Sequence, residues 1–139
     1  MPLVRNLLTC NALNVCVVVG TPPMVADFKE LLWSEQPVVY YDTTFCMGDF
    51  YVSTLLYRNS VFEGSPVMPL LMLLYERRTT SSHELLFKWF CSLIGATTIT
   101  CVADRELSIT NAVLRVMPDS RMVYCWNHIL GVYTTYCII

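Results

Sequence analysis

From Val38 to Tyr57 the chain reads VVYYDTTFCMGDFYVSTLLY, β-branched and aromatic on both sides of Gly48–Asp49. Two such runs around a short glycine turn predict a hairpin, with one strand from Pro37 through Cys46 and its return from Phe50 to Arg58. The polar stretch NSVFEGSP at 59–66 predicts a loop, and VMPLLMLLY at 67–75 a third strand. Pro69 has no N–H to give to a ladder, which argues for an edge position. The period then changes. Ser81-x-x-Glu84 has the spacing of a capping box, Leu85, Leu86, Trp89, Phe90 and Leu93 recur at helical intervals, and Gly95 supplies a stop. TTITCV at 97–102 predicts a buried strand, with Asp104 just beyond its carboxyl end. A second helix is expected from Arg105 to Val116, ended by Pro118, and a last short strand over Arg121 to Tyr124. Upstream, residues 1–20 lack clear periodicity. After GTPP at 20–23, the segment MVADFKELLW places Val25, Phe28, Leu31 and Leu32 on one face of a helix of about three turns.

The resulting order, β-β-β-α-β-α-β, predicts an α/β fold. Three antiparallel strands are followed by α-β-α-β, whose crossovers add parallel neighbours to a mixed sheet with helices packed on it. A length of 139 residues fits one domain. Within it, 1–36 reads as an N-terminal extension with one short helix and 37–139 as the core.

Composition adds a second expectation. With 55% hydrophobic and 14% charged residues and a mean hydropathy of +0.49, the chain is apolar for a soluble domain. Surface hidden against a protein partner, or against a second copy, is expected. No apolar run approaches the ~20 residues of a membrane span, so no membrane association is expected. Asn11 and Asn14 interrupt the opening segment too early for a signal peptide, which predicts an intracellular setting. Seven cysteines form no framework spacing, and Cys46 and Cys101 lie in strand-like runs, the pattern of reduced cysteine used as a small buried hydrophobe. The net charge of −2 gives no electrostatic footprint for nucleic acid, and Arg77–Arg78 is the best candidate phosphate contact.

Asp42 is the conspicuous residue. A carboxylate inside an apolar strand costs several kcal/mol unless it is paired or binds a metal. If the fourth strand adds beside the first, Asp104 comes to face Asp42, and the two carboxylates converge where a divalent cation can bridge them. Asp104 also has a simpler reading as a helix N-cap. Cys125-x-x-His128 supplies two of the four ligands of a structural zinc site, an incomplete set to which Cys137 is the one later candidate. As a nucleophile and base, Cys125 and His128 lack a group to orient the histidine. His83, in the first turn of a helix, reads as solvated. Asp49 and Glu106 read as a turn residue and a first-turn helix charge, and Trp89, Phe90 and Trp126 as core.

The segments YYDTTF, GDFYVSTLLYR, PVMPLLMLLYERRTTSSHELLFKWF, TCVADRELSITNAV and YCWNHI, taken in order across residues 37–130, resemble the catalytic core of the Mutator-like (MULE) transposases, a branch of the ribonuclease-H-like fold. The resemblance implies a ribonuclease-H-like sheet, with Asp42 in the place of the family's first catalytic aspartate and Asp104 in the place of its second. It further implies Mg²⁺ or Mn²⁺ as cofactor, transposon-end DNA as partner, a nuclear location, and DNA transposition by metal-dependent strand cleavage and transfer. Cys125 and His128 resemble the family's C-x-x-H motif. The family's third acid, a glutamate on a later helix, has no counterpart in ILGVYTTYCII after His128, and Asp119 stands on the wrong side of the motif. The resemblance therefore implies a C-terminally truncated core with two of three acids, inactive as it stands. The alternative reading is a domesticated, catalytically dead α/β module that binds protein.

Overall fold

The computed structural model describes residues 15–34, 36–95 and 98–126, together with the backbone of a two-residue strand at 7–8. In chain order the elements are β1 (Leu7–Leu8), β2 (Cys16–Val19), α1 (Pro22–Ser34), β3 (Val38–Met47), β4 (Phe50–Arg58), β5 (Val67–Tyr75), α2 (Thr80–Ile94), β6 (Thr100–Ala103), α3 (Leu107–Val116) and β7 (Arg121–Tyr124). The strands form one open mixed sheet in the order β1-β2-β5-β4-β3-β6-β7. Antiparallel pairing runs from β1 to β3, and β6 and β7 continue parallel to β3. The α/β mixed sheet expected from the element order is the one observed, with the fourth strand of the core beside the first.

The hairpin between β3 and β4 closes through Met47 opposite Phe50, leaving Gly48–Asp49 as a two-residue turn. Gly48 has φ +62, a conformation a side chain disfavours. Gly48→Val is expected to cost about 1–2 kcal/mol in urea unfolding.

One face of the sheet carries the core. Val39 and Tyr41 of β3, Leu55 and Tyr57 of β4, Leu73 and Tyr75 of β5, and Cys101 and Ala103 of β6 alternate onto it and are all at most 2% exposed. Against it lie Phe28 and Leu31 of α1, Leu86, Phe87 and Phe90 of α2, and Ile109, Ala112 and Val113 of α3, all within one cluster. Glu84 ties α2 to α3: its carboxylate accepts from Lys88 and Arg115, both at 3.1 Å.

Several local expectations shift. The cap of α2 is Thr79, whose side chain accepts from the Ser82 backbone N–H at 3.3 Å, so the capping position lies two residues before Ser81. The cap of α3 is Glu106, which displaces the N-cap reading of Asp104. Cys16–Val19 is a strand paired with the Met72–Tyr75 half of β5, so only the half of β5 around Pro69 stays at an edge among the described residues. The Leu55/Leu56 irregularity opposite Leu71 and Pro69 accommodates that proline. Through β2 and α1, the segment before residue 37 thus shares one sheet and one core with β3 to β7. Cys101 is buried as expected, and burial pushes its thiol up to about 12. Cys46 is exposed, its thiol donating to the Gly48 carbonyl at 3.3 Å.

Candidate functional site

Period-two alternation along β3 sends Tyr41 into the core and leaves Tyr40 and Asp42 on the opposite face. The parallel register sets Tyr41 against Ala103, the last residue of β6. One residue further on, Asp42 and Asp104 reach the same place from adjacent strands. β7 extends the arrangement: Tyr124 pairs with Ala103, and the Cys125 N–H donates to the Ala103 carbonyl at 2.8 Å. Both carboxylates and the Cys125 thiol are half-buried.

These groups line one cavity of about 350 Å³, with Tyr40 and Leu56 as its floor and Arg58 on its β4 side. Arg58 gets there by the same alternation, two residues past Leu56, which pairs with Tyr40. Two carboxylates, one guanidinium and one thiol therefore line one hollow on the face of the sheet away from the helices. Hard oxygen donors suit a divalent cation, and a magnesium ion needs only one or two carboxylates beside water and phosphate oxygens. The thiol does not belong to that donor set. Among the described residues, no group of three or more His, Cys, Asp or Glu side chains is arranged to hold a metal ion. His128 and Cys137 lie outside the described residues, and with them any zinc site built on Cys125.

The remaining expected residues do not line this hollow. Arg78 is paired with Glu106 and lies over the Tyr51 ring at 5.5 Å, on the helix-covered face, away from the carboxylates. Asp49 is exposed in the hairpin turn. Trp89 packs against the core, but Trp126 is 66% exposed beside Cys125, contrary to the core reading. Tyr124, 40% exposed, pairs with Ala103 and so shares the helix-covered face with Tyr41, and the Arg105 guanidinium lies 6.0 Å from its ring centre.

His83 departs furthest from expectation. It is fully buried, and its Nδ1 is 2.8 Å from the Tyr41 hydroxyl. The rings of Tyr41 and Tyr75 meet it edge-on at 5.7 and 5.2 Å. Its Nε2 is 3.8 Å from Glu106 Oε1, beyond hydrogen-bond reach. Burial outweighs the pull of that carboxylate and lowers its pKa to about 4. Tyr41, equally buried, is raised well above the usual phenol range. A hydroxyl chain continues beneath them, Ser53 lying 2.9 Å from both the Tyr75 hydroxyl and Thr43 Oγ1. This network braces β3 from the core side, directly behind Asp42.

The fold is an open α/β mixed sheet with three helices in the described residues, with Asp42 midway along β3 and Asp104 just past the end of the parallel strand β6. No protein-family model, curated protein or solved structure matches the chain. No helix among the described residues is long and apolar enough to cross a membrane.

Proposed function

We propose that the chain is the ribonuclease-H-like core of a Mutator-like transposase, a nuclear protein in which Asp42 and Asp104 hold Mg²⁺ or Mn²⁺ against a DNA phosphodiester. One observation carries the reading: the parallel pairing of β3 with β6 brings Asp42 and Asp104 into one cavity. The strand order β5-β4-β3-β6-β7 supports it, since the resemblance implies the same succession of three antiparallel strands followed by two parallel additions. A divalent cation there would polarise a phosphate oxygen and neutralise charge that builds during strand cleavage. The protein's part is to fix two carboxylates on a sheet whose other face is fully packed. For the two carboxylates of this site, cation and DNA binding are the expected activities.

The test is thermal unfolding with and without Mn²⁺. Saturation at about a hundred times the dissociation constant stabilises the folded state by about 2.7 kcal/mol, a rise of several degrees. Asp42→Asn and Asp104→Asn, which keep the side-chain shape, are each expected to abolish that rise. Equal shifts in wild type and both variants would sink the proposal.

A second reading, a protein-binding module without cation chemistry, is favoured by the exposed apolar side chains of Trp33 (91%), Val61 (77%) and Leu107 (72%). It predicts no Mn²⁺ response in the wild type.

A further inference from the structure

We propose that the cleft between α1 and α2 binds a medium-chain aliphatic carboxylate, its chain lying over Val18 and Leu71 and its carboxylate on Lys29. The cleft is on the helix-covered face of the sheet, away from the Asp42–Asp104 hollow, and the inference does not depend on the cation reading.

The cleft measures about 520 Å³, within the range of roughly 300–1,000 Å³ that small-molecule sites occupy. Its floor is the sheet where β2 lies beside β5, through Val18 and Leu71, and its walls are Val25 and Ala26 of α1 and Trp89 and Leu93 of α2. Helical spacing puts Val25, Ala26 and Lys29 on one face of α1, and Trp89 and Leu93 on one face of α2. Gly20 keeps the turn into α1 bare, since a Cβ there would lie 2.5 Å from the Leu71 Cδ2 methyl and displace it.

One charged side chain lines this apolar space. Lys29 is exposed on α1, so its ammonium reaches solvent at the mouth while its stem follows the wall. Among the described residues no acidic side chain lines the cleft, and Lys29 is in none of the ion pairs that engage Arg78, Lys88 and Arg115. Apolar walls with one cation select an amphipathic anion of single charge. A phosphate is a poorer fit, because the start of α1 has few donors to offer it. Pro22 and Pro23 carry no N–H, and the Met24 and Val25 N–H groups donate to Thr21, at 3.5 Å to its hydroxyl and 3.2 Å to its carbonyl. A peptide is a poorer fit too, since its backbone N–H and C=O groups would find no partners on these walls.

The experiment titrates the full chain with sodium decanoate at low salt, by isothermal calorimetry and by tryptophan fluorescence, with 1-decanol as the neutral comparison. One molecule is expected to bind per chain with a negative heat-capacity change, the mark of buried apolar surface. From octanoate to dodecanoate, affinity is expected to rise about fourfold per methylene until the cleft is full. Lys29→Gln is expected to weaken decanoate by about three- to fivefold, the scale of an exposed ion pair, and to leave decanol unchanged, while Lys29→Arg keeps the wild-type affinity. Ala26→Leu, which fills the cleft from an exposed position of α1, is expected to block both ligands without shifting the urea midpoint. Trp89→Phe is expected to keep the binding heat and lose most of the fluorescence change. No decanoate binding by the wild type, or binding that survives Ala26→Leu, would overturn the site. Equal decanoate affinity in the wild type and Lys29→Gln would overturn the carboxylate assignment.

Discussion

Lowering the pH from 7 to 5 is expected to cost the fold about 2 kcal/mol through His83 alone. In the unfolded chain this imidazole takes its proton near the ordinary value of 6.5, whereas in the fold burial delays protonation to about 4. Between those values the unfolded state holds more protons than the native one, so stability falls as pH falls. The loss starts near pH 6.5 and reaches roughly 3 kcal/mol once both states are protonated. Each element packed against the ring contributes to this outcome. Tyr41 from β3 and Tyr75 from β5 offer aromatic edges, and Arg78 before α2 repels the proton. Glu106 ahead of α3 attracts it, but from 3.8 Å it does not compensate the lost hydration. Glu84 is held below the usual range by Lys88 and Arg115, so its contribution persists until the pH falls through that lowered value. Urea unfolding at pH 7 and pH 5 checks the expectation. His83→Gln should be less stable than wild type at pH 7, since it disturbs the Tyr41 contact, and should lose little more at pH 5. An equal pH 5 loss in both proteins would show that other groups carry the acid sensitivity.

That histidine also shows where the sequence was legible and where it was not. The core of α2 is written at helical spacing in Leu86, Phe87 and Phe90, and the same spacing continued one turn back falls on His83. The position was visible; the residue type argued for solvent, and the partner that makes burial tolerable, the Tyr41 hydroxyl, is 42 residues away. β3, β4, β5 and β7 were legible because apolar runs bounded by turn residues are local signals. β2 was not, because four apolar residues define no period and their partner, Met72–Tyr75, is distant in sequence. Asp42 and Asp104 stood out because a carboxylate within or just past an apolar strand conflicts with its surroundings. Arg58 produced no such conflict. A cation at the end of a strand looks like an ordinary solvated charge until the β3–β4 register puts Leu56 opposite Tyr40 and so carries Arg58 to the cavity.

Phe28→Ala is expected to remove about 3–5 kcal/mol, a large part of the roughly 5–15 kcal/mol that stabilises a domain. Phe28 is fully buried, and its ring meets Tyr57 of β4 edge-on at 5.0 Å and Phe90 of α2 at 5.9 Å. It is thus the point where α1 joins both the sheet and the helix layer. Truncation leaves a void walled by two rings that are themselves fixed by other contacts, so collapse into the space is limited and the cavity cost remains. The outcome also decides whether residues before 37 fold as part of the same unit. If α1 and β2 were an appendage, Phe28→Ala would release a small early transition and leave the main one in place. Burial of Phe28 and Leu31 within the common cluster, together with the β2–β5 ladder, predicts instead one cooperative transition moved down by on the order of 10 °C. Calorimetry distinguishes the two outcomes, and the Mn²⁺ response offers a second check. A single unit should keep the Asp42–Asp104 geometry, and hence the cation shift, in the variant at temperatures where it remains folded, because Phe28 touches the core face of the sheet and the carboxylates stand on the other.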